Sequence, residues 1–321
     1  ESHPVTDAMV TAQSIIYSEW SLVGKRNEKR HSGWICDKMK EKTREGFDMR
    51  RYMEVFHQHC HMQGFTVDKE NGIMYWSFTD SVVKTNLESM VIAQCHVSGG
   101  HLGDIAYYDG KVYSSFMGNS LPGHAWDDWT AFRIHVYDAK DLRLLKEIEI
   151  PLCYEMHAMQ GKPGDPYGFS GIDGITFGKD ENGEMITGEE YDHQMILQMS
   201  LEGEYEKTHR FLTGNTVYGI QTLDYDWDTD SFWFTTYGAA APHQDRETLY
   251  NVSLKGGVIS RYPYSSPYGL FCLGGGKFLA SLHQGKNGNC SGYAYECEEE
   301  LFQNRKGEHD IKDFIFGEEL K

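Results

Sequence analysis

Basic residues are in short supply. Lys and Arg number 30 against 48 Asp and Glu, a formal charge of −18. Such a surface cannot neutralise a phosphate backbone, so nucleic acid is excluded as a partner, as is docking on anionic lipid. No apolar run approaches the roughly 20 residues that span a bilayer, so a membrane is not expected as a partner. Pro is scarce, at 8. There is no CxxC pair for a zinc knuckle and no HExxH. Nor is there a P-loop, a CxxCH haem site or a GxGxxG after a strand, so no nucleotide cofactor is expected. The 7 cysteines are an odd number, so at least one is unpaired or intermolecular. Cys290, Cys297 and Cys36 are the candidates for a disulfide. The sequence opens on Glu1 rather than Met, which points to a processed form. An extracytoplasmic location, secreted or periplasmic, is expected, with the cytoplasm as the alternative.

Aromatics and glycine are plentiful instead: 20 Tyr, 16 Phe, 7 Trp and 34 Gly. That mix suits many short strands joined by glycine turns. Five times the chain shows a strand-like run, a polar connection and a Gly-containing strand start. These are YMEVFHQHCHMQGF from Tyr52, MVIAQCHVSGGHLGDI from Met90, EIEIPLCYEMH from Glu147, THRFLTGNTVYGIQ from Thr208 and ISRYPYSSPYGLF from Ile259. Each leads into an apolar strand, a turn and an aromatic-rich strand, as in GFTVDKENGIMYWSF from Gly64 or GDIAYYDGKVYSSF from Gly103. Third strands such as SVVKTNL and RIHVYDA follow, and the fourth opens the next unit.

Four antiparallel strands recurring about every 40 to 60 residues resemble the blades of β-propeller repeat proteins. The likeness runs from about Tyr52 to Cys297 and implies an all-β, five-bladed propeller of four-stranded antiparallel blades. No WD series, kelch double-Gly pattern or Asp-box series is present, so the resemblance names a fold and not an activity. The last blade has three strands of its own, so Met53–His57 is expected to close the ring as its fourth. The expected organisation is 1–50 as a partly helical N-terminal extension, 51–300 as the propeller and 301–321 as a tail along its surface.

In such a fold the loops entering the inner strands and those between second and third strands share one face. The entering loops carry His59, His61, His96, His101 and His157, and the others carry His124, His193, His243 and His283. That gathers nine of the 15 histidines. Gln63, Asp173 and Gln221 align at the tops of inner strands, His101 or Asp104 fills that place in the second blade, and Tyr218 and Tyr268 lie beside it. Such a ring of amide, carboxylate, imidazole and phenol groups suits a polar ligand such as a sugar, or ordered channel water. Trp126, in the loop GNSLPGHAWDDW, could stack on a sugar ring.

Two chemistries fit this inventory. His61, His101 and His157, one from each of three entering loops, could hold a divalent metal such as Zn, Mn or Ca with positions left for substrate. The HQHCH segment with Gln63 is similar in residue type to propeller polysaccharide lyases that hold a metal through His and Gln. Alternatively Glu189, Glu190, Asp173, His101 and His193 could do acid/base work, paired carboxylates serving glycoside hydrolysis. Loop charges of this kind also occur simply as solvated tips. The expected function is a carbohydrate-active enzyme, a glycoside hydrolase or polysaccharide lyase, taking an oligosaccharide or other small molecule. The alternative is a non-catalytic propeller that binds a glycan or a protein.

Overall fold

Apolar runs bounded by Asp, Asn and Gly fold as antiparallel strands because each polar boundary supplies a tight turn. The computed structural model describes residues 8–9, 52–57, 62–118, 131–150, 176–177, 194–199, 204–211, 220–236, 249–255, 257–264, 266–286 and 289–304. Two short strands come first, β1 (Ala8–Met9) and β2 (Tyr52–His57). One meander follows, of β3 (Met62–Asp68), β4 (Ile73–Phe78), β5 (Ser81–Asn86) and β6 (Val91–His96). The next contains β7 (Gly100–Tyr108), β8 (Lys111–Gly118), β9 (Ala131–Asp138) and β10 (Leu144–Glu149). Then come β11 (Thr176–Phe177), β12 (Gln194–Met199) and β13 (Tyr205–Phe211).

A third meander is made of β14 (Ile220–Asp226), β15 (Ser231–Thr236), β16 (Leu249–Ser253) and β17 (Gly257–Tyr262). The chain ends its strands with β18 (Leu270–Gly274), β19 (Lys277–Lys286) and β20 (Asn289–Glu298), followed by the short helix α1 (Glu300–Asn304). Here β2 supplies the fourth strand, running antiparallel to β20 from Tyr52↔Tyr295 to His57↔Cys290. One sheet thus joins the two ends of the repeat region and leaves neither β2 nor β20 unpaired.

This is a β-propeller of four-stranded antiparallel blades. The sequence predicts five like blades; the structure shows four regular ones. The remaining sheet has a different build, in the order β11-β1-β12-β13. Residues 178–193, between β11 and β12, lie outside the described residues. Ala8–Met9 pairs with Phe177–Thr176 on one side and with Met199–Gln198 on the other. The N-terminal extension expected to be partly helical therefore includes, at Ala8–Met9, a strand of this sheet.

Hairpin ends explain the repeat. After β3, the Asp68 carboxylate accepts from the Asn71 backbone N–H at 3.2 Å and from its side-chain Nδ2 at 2.7 Å. After β14, Asp226 plays the same part for the Asp228 N–H and the Thr229 hydroxyl, at 3.0 and 2.8 Å. Between β7 and β8 the turn is Asp109–Gly110, both at positive φ, the backbone that suits a two-residue hairpin and for which Asp-Gly is favoured.

Apolar clusters lie between neighbouring blades. Tyr75 and Val82 meet Leu102, Phe116 and Tyr137; Phe65 and Trp76 meet Leu279 and Ala294; Trp233 and Leu249 meet Phe278 and Tyr295; Ile196 and Phe211 meet Leu223 and Phe234. Each fully buried ring contributes roughly 1.5–3 kcal/mol of burial.

Polar clips add direction to this packing. Tyr75 OH and Lys84 Nζ from the β3 blade both donate to the Ala139 carbonyl of the next blade, at 3.0 and 2.7 Å. On its other side Lys69 Nζ donates to the Cys272 and Leu273 carbonyls, both at 3.0 Å. The Cys272 N–H donates to the Asp224 carboxylate, whose pKa burial raises to about 6. Cys95, Cys272 and Cys297 are free thiols, so the disulfide considered for Cys297 is not formed. Burial pushes the Cys95 thiol up to about 12, far from a nucleophile. Among the described residues no helix is long and apolar enough to cross a membrane.

Candidate functional site at the ends of the inner strands

The inner strands are linked by the same small device in each regular blade. In three of them a hydroxyl on the second strand bonds back to the inner strand, and in the β18 blade a backbone N–H does so. Ser77 Oγ donates to the Gly64 carbonyl at 3.3 Å, and Ser115 Oγ to the Asp104 carbonyl at 3.4 Å. Thr235 Oγ1 meets Thr222 Oγ1 at 2.7 Å, and the Ser281 N–H donates to the Gly269 carbonyl at 3.0 Å. Gly64, Asp104, Thr222 and Gly269 therefore stand at one level.

One step above that level the ladder slips. Met62 pairs with Phe78 and Gly64 with Ser77, so Gln63 is left over. Ile220 pairs with Thr236 and Thr222 with Thr235, so Gln221 is left over. A bulge residue is turned out of the regular alternation, and here it is a buried Gln in both blades. Gln63 and Gln221 thus hold equivalent places.

In the β7 blade the slip is again of one residue, but it falls between Leu102 and Ile105, where Gly103 and Asp104 stand against Ser115 alone. His101 stands above it, paired with Met117 and buried. The two blades meet there. Gln63 Nε2 donates to Thr79 Oγ1 at 3.0 Å and lies 3.1 Å from His101 Nε2.

Asp104 is not a rim residue, as its alignment with His101 suggested. Its carboxylate reaches across the ring and accepts from the Leu223 N–H of β14 at 3.0 Å. A Cβ at Gly64 would fall 2.1 Å from Asp104 Oδ1, so only glycine leaves room for this strut. Asp104→Ala is expected to cost about 1–2 kcal/mol, because it strands a buried N–H. Asp104→Asn should cost less, and urea unfolding of the two variants checks the order.

Tyr268 is half-buried and packs against the cluster of Met62, Phe65 and Trp76. Arg133 is engaged by Glu147 and Glu149 at 3.4 Å each, on the outer strand β10. His96 lies 3.8 Å from Asp80 at the same end of the blades. His61, Trp126, His157, Asp173, Glu189, Glu190, His193 and Tyr218 lie outside the described residues.

The metal expectation meets a chemical constraint at His101, since its Nε2 is taken by Gln63. Among the described residues, no group of three or more His, Cys, Asp or Glu side chains is arranged to hold a metal ion. Sequence reasoning missed Thr79. Its position, in the turn TD between two apolar runs, reads as an ordinary hairpin end.

No family model matches the chain, and no curated protein matches it by sequence. Among solved structures, a protein of unknown function from Bacteroides caccae is similar at 10% identity over 68% of this chain and 69% of its own, with a TM-score of 0.37. A chain of the nidogen/laminin complex is similar at 9% identity over 72% and 85%, with a TM-score of 0.40. The WD40 domain of Neurospora crassa Pan2 is similar at 10% identity over 75% and 66%, also with a TM-score of 0.40. At these scores the likenesses carry no functional conclusion.

Proposed function

We propose that the chain is a carbohydrate-binding propeller whose ligand seats at the ends of the inner strands, around Gln63, His101 and Gln221. One observation carries this reading: amide, imidazole and hydroxyl groups from adjacent blades converge where Gln63 meets His101 and Thr79. Neutral donors and acceptors of this kind match a polyhydroxylated ligand, and a −18 surface disfavours an anionic one. The ring is taken as five-fold, with the β11 sheet as its fifth member, because β11 lies between β7 and β14. An extracytoplasmic location suits a glycan ligand. A hydrolase or lyase activity would draw on His101 with Asp173, Glu189, Glu190 and His193, and a divalent metal would draw on His61 and His157.

Affinity electrophoresis of the purified chain on a panel of neutral and acidic glycans tests the reading. Retention on a neutral glycan is expected, with Gln221→Ala weakening it about tenfold through one lost hydrogen bond. Cleavage of the retained glycan would make the chain an enzyme, and metal analysis of the same sample decides the cofactor. Absence of retention on every glycan, or retention that Gln221→Ala leaves unchanged, would sink the proposal.

A further inference from the structure

The turn between β4 and β5 does two things at once. Its backbone holds the approach to β7: the Thr79 carbonyl accepts from the Leu102 N–H at 2.9 Å, and the Asp80 carbonyl from the Val97 N–H at 2.7 Å. Leu102 is the residue after His101, so this turn sets where the imidazole stands. The Thr79 side chain meanwhile takes one N–H of the Gln63 amide. The second N–H of that amide faces His101 Nε2 at 3.1 Å. A nitrogen that faces an N–H at hydrogen-bond distance must offer its lone pair.

We propose that Thr79 and Gln63 are positioning residues that lock His101 as its Nδ1–H tautomer. That places the ring's proton on Nδ1, which is buried, and its lone pair on Nε2, toward the Gln63 amide. Thr79 reaches the ligand only through Gln63 and His101. The inference rests on the carbohydrate reading for the nature of the ligand, and on the Thr79–Gln63–His101 geometry alone for the tautomer.

The imidazole nitrogens of uniformly ¹⁵N-labelled protein give the decisive measurement, with His101→Asn identifying the His101 signals. The wild-type ring should show a protonated Nδ1 and a bare Nε2. Gln63→Glu replaces the donor with a carboxylate acceptor and should move the proton to Nε2. Thr79→Val releases the amide, which can then turn, and should give a mixture of tautomers.

A wild-type ring protonated at Nε2 would mean that Gln63 presents its carbonyl oxygen, and would overturn the proposal. So would a Gln63→Glu ring unchanged in tautomer. If either variant fails to fold, the wild-type spectrum still decides. Because no ligand is present, the result stands apart from the glycan panel. Failure on the panel with an Nδ1–H ring removes the sugar and leaves the positioning role. On a retained glycan, Gln63→Glu should lower affinity at least tenfold, and Thr79→Val by a smaller factor.

Discussion

Replacing Phe302 by alanine is expected to destabilise the protein by about 3–5 kcal/mol, the usual range for truncating a buried aromatic ring. Phe302 lies in α1, a helix of one turn that would not persist alone. Its ring is wholly buried, with centroids 4.8 Å from Tyr264, 5.0 Å from Phe278, 5.8 Å from Trp233 and 5.9 Å from Tyr262. It therefore plugs the seam between the β14 and β18 blades. The backbone leads it in: the Glu299 N–H donates to the Gly276 carbonyl at 3.2 Å, and Tyr262 OH donates to the Glu299 carboxylate.

Urea unfolding of Phe302→Ala against Gln303→Ala, an exposed neighbour in the same helix, separates ring burial from helix propensity. The neighbour should shift stability by no more than about 0.5 kcal/mol. Equal shifts would mean that α1 is not docked. Because β20 leads into this helix and also pairs with β2, loss of the plug should loosen the strand that closes the ring.

The repeat was legible because its signals are local. A Gly, an apolar strand, an Asp-capped turn and an aromatic strand recur in order, and strand periodicity with turn chemistry is enough to place them. The closing strand was legible for a different reason, since one unit lacked a strand and another began with a spare one. The alignment of Gln63 with Gln221 also came through, because both precede strands of matching turn chemistry.

The same reasoning failed where the answer depends on what another part of the chain brings. Ala8–Met9 is too short to show a period, and its place is defined by β11 and β12 on either side. Asp104 was read as a rim residue because a one-residue slip between Leu102 and Ile105 moves it one level down, and a slip leaves no mark in composition. Thr79 owes its part to the close approach of a neighbouring blade. The tail expected from residue 301 begins with a buried ring for a similar reason: one Phe in a polar stretch has no periodicity to reveal it.

Acidification is expected to weaken the protein through His135, and His135→Leu should remove that part of the loss. His135 sits on β9 with its ring stacked on Phe116 at 5.5 Å and tilted against Tyr137 at 6.1 Å. It is wholly buried, and neither ring nitrogen has a hydrogen-bond partner among the described residues. Burial, with a smaller contribution from Arg133, lowers its pKa to about 3. In the unfolded chain it titrates near 6.5.

Between those values the unfolded chain binds a proton that the folded one refuses. This share of stability is therefore complete above about pH 6.5 and falls as pH drops toward 3. At about 1.4 kcal/mol per pH unit, the loss reaches roughly 2.5–3 kcal/mol by pH 4.5. At pH 7.5 a leucine here should be near neutral, since it fills the site without stranding a polar group. Its advantage over the wild type should then open steadily below pH 6.5. Urea midpoints of both proteins across this range measure it, and every other titrating group cancels in the comparison. Parallel curves would show that His135 accepts its proton in the folded state, which this ring-lined burial does not allow.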